Sequence, residues 1–127
     1  MVTENKHYLI LDYYSKGDLF KYIEESGPFS ERQAKYVFKK ILQGVQVLHG
    51  VGVCHRNLTL QAILLDQNFN PKISNFAFAK IFIEHNQVIQ LTERVGTSDY
   101  MPPQIYNGNI IMGKKLIYLV LELFYLI

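Results

Sequence analysis

Residues 53–79 of the 127-residue chain read VCHRNLTLQAILLDQNFNPKISNFAFA, and the assignment of the fold turns on them. Two short apolar runs, residues 61–65 and 71–73, are separated by Asp66-Gln67-Asn68-Phe69-Asn70, a turn-like composition. They predict two short strands joined by a turn. Ahead of the first run stand His55 and Arg56, and after the second stand Asn75, Phe76 and Ala77. A single His among apolar neighbours is ordinarily a hydrogen-bonded core residue, so His55 is assigned no catalytic role. Cys54 beside it reads as a small buried hydrophobe.

Upstream, Phe29-Ser30-Glu31-Arg32-Gln33 has the form of a capping box, with Ser30 as N-cap and Gln33 three residues later. From there Ala34, Val37, Phe38, Ile41, Leu42, Val45 and Leu48 recur at helical spacing, and Glu31, Arg32, Lys35, Lys39 and Gln46 take the other face. The pattern predicts a helix over 30–49 that ends near His49-Gly50, where Gly suits a left-handed residue. Its apolar stripe is core. Earlier still, residues 8–14 (YLILDYY) are aromatic and branched, which predicts a strand. Ser15-Lys16-Gly17 interrupt it, and Asp18 precedes Leu19, Phe20, Tyr22 and Ile23 as a residue favoured at helix starts for capping and dipole reasons.

From about His7 to Gln104 the chain resembles the catalytic domain of eukaryotic protein kinases of the serine/threonine type. His55 to Ala62 (HRNLTLQA) stands where the family has an HRDLKPEN-like catalytic loop, Asn75-Phe76-Ala77 stands at DFG, and Gly96 to Gln104 (GTSDYMPPQ) at the GTPxYMAPE close of the activation segment. The resemblance implies an α+β fold, the large lobe of that domain. Such a lobe is mainly helical, with short strands around the catalytic loop. It also implies a hinge strand at about 8–14, a catalytic-loop region at 53–66 and an activation segment at 75–104. The small lobe is expected to be absent, since no Gly-rich phosphate loop, VAIK-like Lys or following partner Glu is found.

By the same resemblance, four positions would carry the chemistry. The family's loop Asp accepts the substrate hydroxyl proton, its Lys steadies the phosphate, and an Asn and the DFG Asp hold metal ions. Here those positions are Asn57, Thr59, Ala62 and Asn75. An amide has no useful basicity near neutral pH, and loss of a positioned base costs about 10²- to 10⁴-fold in rate. Magnesium prefers hard anionic oxygens, whereas Ala62 offers no ligand and Asn75 a neutral one. No functional catalytic residue, metal site or cofactor is therefore expected. ATP and magnesium enter only under an alternative reading, with Leu11 as gatekeeper, Asp12 to Tyr14 as hinge backbone, Asp18 at the ribose and Leu64 as the floor of the adenine pocket. Taken alone, Asp18 is a helix cap and Leu64 a core residue. Phe76 would join the family's internal hydrophobic column or serve as ordinary core.

In the segment at 75–104, Thr97 matches the family, but its partners there are the Asp and Lys replaced by Asn57 and Thr59. Gln104 replaces the Glu whose ion pair anchors the segment. Glu93 lies three residues before Gly96, where many relatives carry a phosphothreonine that pairs with the loop Arg, here Arg56. A constitutive Arg56–Glu93 ion pair is one expectation, with phosphorylation of Thr92 as a supplement; a solvated loop charge is the other.

A net charge of +2, with no basic cluster longer than Lys39-Lys40 or Lys114-Lys115, argues against nucleic acid and acidic membranes as partners. The lone Cys54 excludes an internal disulfide, and the polar start lacks the pattern of a secretory signal, so an intracellular, cytoplasmic protein is expected. Residues 105–112 read as loop. Residues 116–127 are twelve residues with one charge, an irregular hydrophobic end too short for the roughly 20 apolar residues of a membrane span. An uncovered stripe of this kind calls for a protein partner, over this end or in place of the small lobe. Three functions follow: a catalytically inactive kinase-like interaction module, an ATP-binding serine/threonine kinase with residual phosphotransfer, or a truncated relic without function.

Overall fold

The computed structural model describes residues 2–3, 6–84, 87–91, 93–101 and 111–112. Thr92, Gln104 and the hydrophobic end at 116–127 lie outside the described residues. Two helices and short antiparallel ladders alternate along the chain. Helix α1, Leu19–Ser26, starts at the N-cap Asp18, whose carboxylate accepts the Lys21 N–H at 2.9 Å. Helix α2, Glu31–Gly50, starts at Ser30 with both halves of the capping box formed. Both start signals were legible in the sequence.

Helix α2 buries Val37, Ile41 and Val45, one face at i, i+4 spacing, and sets Phe38 and Leu42 beside them. Opposite this face lie β4, Ile63–Leu65, and β5, Pro71–Ile73, paired antiparallel with Ile63 across from Ile73. The turn between them is tied by Asp66, whose Oδ1 accepts the backbone N–H groups of Asn68 and Asn70. Gly44 faces Ile73 so closely that a Cβ would come within 2.9 Å of its Cδ1. That contact explains a glycine inside a helix, where it costs about 1 kcal/mol relative to Ala. Leu19, Leu58, Leu60 and Leu65 complete this core.

Two residues of α1's approach fasten it to the same sheet. The Leu65 N–H donates to the Gly17 carbonyl at 2.9 Å, and Asp18 forms a single bridge with Leu64. A second, smaller core gathers Cys54, Phe82 and Leu91, where β3, Val53–Cys54, pairs with β6, Lys80–Ile81. Burial raises the pKa of the Cys54 thiol, in keeping with an inert packing residue. Short ladders also join β1, Val2–Thr3, to β2, Lys6–His7, and β7, Ile83–Glu84, to β8, Gln87–Val88. The last joins β9, Gln90–Leu91, to β10, Ile111–Met112.

Three sequence expectations are corrected. Residues 8–14 form no strand: Leu9, Ile10, Leu11 and Tyr13 are more than two-thirds exposed, and the run has no ladder partner among the described residues. Strand preference expresses packing on a neighbouring strand and face, and among the described residues no strand lies beside this run. Conversely, Ile111–Met112, read as loop, pairs with β9. The expected strand at 61–65 is also shortened, because residues 60–62 make a 3₁₀ turn and only Ile63–Leu65 pair.

Candidate functional site

The site is built on the stretch between β3 and β4 and on residues 74–78 after β5. Burial holds His55, Asn57 and Thr59 in place. His55 is satisfied on both ring nitrogens: Nε2 lies 2.7 Å from the Ser74 carbonyl, and Nδ1 lies 3.3 Å from the Asn57 N–H. These partners assign the neutral tautomer with the proton on Nε2. Burial lowers the His55 pKa, opposed by the Ser74 bond. Phe76 packs edge-on against the imidazole, with centroids 5.0 Å apart, although its outer face is exposed. His55 thus joins the two motifs as a structural post.

Arg56 and Asn75 both take left-handed backbone conformations, at φ 63° and 58°. Asn tolerates this region; Arg at such a φ is held there by its surroundings. The Arg56 side chain is 8% exposed, donates from Nε to the Phe78 carbonyl at 2.6 Å, and meets Glu93 from Nη1 at 2.7 Å. The other Glu93 oxygen accepts from Lys80 at 2.6 Å. Lys80 foremost, then Arg56, pulls the Glu93 pKa down to about 2. The expected Arg56–Glu93 pair is therefore present, as two-thirds of a triad. Lys80 was missed in the sequence; its signal was an isolated cation directly after the apolar run 76–79.

The segment beyond Glu93 docks on the same loop. The Asn57 side-chain oxygen accepts the Thr97 N–H at 2.9 Å. Gly96, at φ 120°, lies so near that a Cβ would sit 2.7 Å from the Arg56 carbonyl oxygen. Thr59 and Ala62 are buried and linked by the Ala62 N–H to Thr59 carbonyl bond of the 3₁₀ turn. Neither presents a charged group to the site.

Leu11, Asp12, Tyr14, Leu64 and Asn75 come together as walls of one cleft of about 540 Å³, which Leu9, Ile73, Ser74, Phe76 and Ala77 complete. Asp18 is not among its lining residues; its carboxylate is engaged in capping α1. Among the described residues, no group of three or more His, Cys, Asp or Glu side chains could hold a metal ion, and no helix is long and apolar enough to cross a membrane.

The sequence pattern of the protein kinase domain matches residues 1–117. The chain belongs to the protein kinase family. Similar proteins include NUAK family SNF1-like kinase 1 of Homo sapiens, 37% identical over 116 residues, which are 90% of this chain and 17% of that protein. The probable serine/threonine-protein kinase KCC4 of Saccharomyces cerevisiae is 36% identical over 106 residues, 84% of this chain and 10% of its own length. The serine/threonine-protein kinase SAPK1 of Oryza sativa is 34% identical over 108 residues, or 84% of this chain and 31% of its own. The chain thus spans less than a third of the length of each. In this kinase-family chain residues 55–62, the turn at Asn75–Phe78 and the segment at 93–101 are held together by hydrogen bonds, an ion triad and close packing.

Proposed function

We propose that this chain is a catalytically silent, protein-kinase-like large-lobe module that acts by binding other proteins. The observation that carries the reading is Asn57. It occupies the position of the catalytic carboxylate, it is buried, and its side-chain oxygen is taken up by the Thr97 N–H. An amide so placed serves as a latch between loop and segment and has no proton-accepting capacity near neutral pH. Thr59, Ala62 and Asn75 add no cation, metal ligand or carboxylate at the other three positions. The exposed apolar run Leu9–Leu11 offers a surface for a partner.

The cleft of about 540 Å³ favours a second reading, a nucleotide binder that retains adenine contacts at Leu11, Asp12, Tyr14 and Leu64. Its volume falls within the roughly 300–1,000 Å³ of small-molecule sites. Phosphotransfer from radiolabelled ATP to a general protein substrate separates silence from activity. No incorporation above a no-protein blank is expected, either from the chain itself or from Asn57→Asp combined with Asn75→Asp, because Thr59 and Ala62 remain. Incorporation by the unmodified chain refutes the proposal.

A further inference from the structure

His55 and Asn57 form a relay between the turn after β5 and the segment at 93–101. The imidazole is buried and gives its Nε2 proton to the Ser74 carbonyl at 2.7 Å, which leaves Nδ1 as the acceptor of the Asn57 N–H at 3.3 Å. Asn57 passes the connection on. Its side-chain oxygen accepts the Thr97 N–H at 2.9 Å, and its backbone carbonyl accepts the Thr59 N–H at 3.1 Å. Arg56, at φ 63°, and the Thr59 bond bracket Asn57 and aim its N–H at the ring. The segment rests on this short stretch without side chains between them, since a Cβ on Gly96 would lie 2.7 Å from the Arg56 carbonyl oxygen and 3.6 Å from the Asn57 Oδ1.

A proton added at Nδ1 would set two donors face to face, the new N–H of the ring and the N–H of Asn57. Two adjustments relieve the clash: the Asn57 backbone turns away, or its side-chain oxygen swings round to accept from the ring. Each takes that oxygen off Thr97. We infer that His55 is an acid-sensitive pin, whose protonation at Nδ1 makes Asn57 release the Thr97 N–H and lifts the Gly96–Thr97 stretch from the loop. The titratable groups of the surrounding elements do not offset the new charge. Arg56 and Lys80 are both engaged with Glu93, Asp99 accepts from the Ser98 hydroxyl, and burial keeps the Cys54 thiol protonated. His49, at the end of α2, packs edge-on against Phe82. The proton affinity of His55 is set by burial, which lowers it, and by the Ser74 carbonyl, which raises it. Opening stays local because Glu93, with its pKa near 2, keeps its charge while imidazoles titrate, and Tyr100 and Met101 remain packed on the two cores.

The test is amide hydrogen exchange of the full chain, followed by NMR between about pH 7.5 and 5.5 and corrected for the intrinsic pH dependence of exchange. Opening linked to an imidazole that is neutral when docked and has an ordinary pKa of 6.5 when released lowers protection of the Thr97 amide by about tenfold over this range. Protection of the Ile41 amide, inside α2, should stay constant. Asn57→Asp keeps an acceptor for Thr97 and places a carboxylate beside the ring, which favours the imidazolium in the docked state; its Thr97 protection should change by less than about twofold. His49→Gln should respond as the unmodified chain does. Constant Thr97 protection in the unmodified chain, or an equal loss at Thr97 and Ile41, would overturn the inference. So would an undiminished response in Asn57→Asp, or a response abolished by His49→Gln, which would assign the acid sensitivity to the other histidine.

Discussion

At the scale of single residues, Glu93 organises the segment at 93–101 by engaging Arg56 and Lys80 with separate oxygens. Replacing it by Gln keeps the shape and removes the charge. Faster protease cleavage within 93–101 is expected in Glu93→Gln, with little change in the global melting midpoint because Glu93 is half exposed. The pH dependence has a definite sign. Folding lowers the Glu93 pKa from 4.5 to about 2, so the contribution is complete above about 4.5 and is lost as pH falls toward 2. His55 acts earlier. Its pKa is lowered from 6.5 by burial, so the neutral form is favoured in the folded state and stability begins to decline once pH drops below 6.5. Cleavage followed from pH 7 down to about 2 should therefore show the His55 effect in both proteins, and the difference between them should shrink below about 4.5 and vanish only toward about 2. Gly96→Ala supplies a second check: a Cβ 2.7 Å from the Arg56 oxygen at φ 120° should destabilise the chain by about 1–3 kcal/mol, read from a denaturant melt.

Much of this residue-scale arrangement was legible from motif spacing, which put Arg56 and Glu93 in register and marked Asn57 and Asn75 as substitutions. Lys80 and the close approach of Gly96 were not. Both depend on β6 pairing with β3, with Lys80 opposite Cys54, and on a segment folding back over a distant carbonyl; these are tertiary facts, and the lone cation after 76–79 does not reveal its partner. The link between Thr97 and Asn57 also differs from expectation. It forms with an amide at position 57 because a backbone N–H needs only an acceptor, and the amide oxygen is one.

At the scale of elements, both helices and the β4–β5 pair were readable, and the strand expected at 8–14 was not found. The capping box of α2 and the Asp18 cap of α1 are satisfied within a few residues of chain, so their signals are local. Ser30→Ala removes the acceptor for the Gln33 N–H and is expected to cost about 1 kcal/mol, measured by urea unfolding. Ile41→Ala, in the fully packed stripe at 1% exposure, should cost about 2–5 kcal/mol in the same assay. The run at 8–14 carried the composition of a strand, yet it joins no ladder among the described residues, and Leu9, Ile10, Leu11 and Tyr13 are exposed. Ile111–Met112 carried little signal and found a partner in Gln90–Leu91. A ladder is decided by what lies across it.

At the scale of the whole molecule, membership of the kinase family is one matter and the proposed catalytic silence of the chain another. The frame persists in α2, the β4–β5 hairpin and the His55 post between the two motifs. The proposed silence rests on the family's need for a base and anionic metal ligands, at positions that the motif resemblance matches to Asn57, Ala62 and Asn75. The measurement that bears most directly on this separation is thermal unfolding of the full chain, followed by circular dichroism, in EDTA and in millimolar ATP with magnesium. A ligand at a hundredfold excess over its dissociation constant adds about 2.7 kcal/mol to the folded state, which such a melt resolves. A cooperative transition with the same midpoint in both conditions is expected. A midpoint raised only when ATP and magnesium are present together would show a working metal–nucleotide site and overturn the assignment of a silent module.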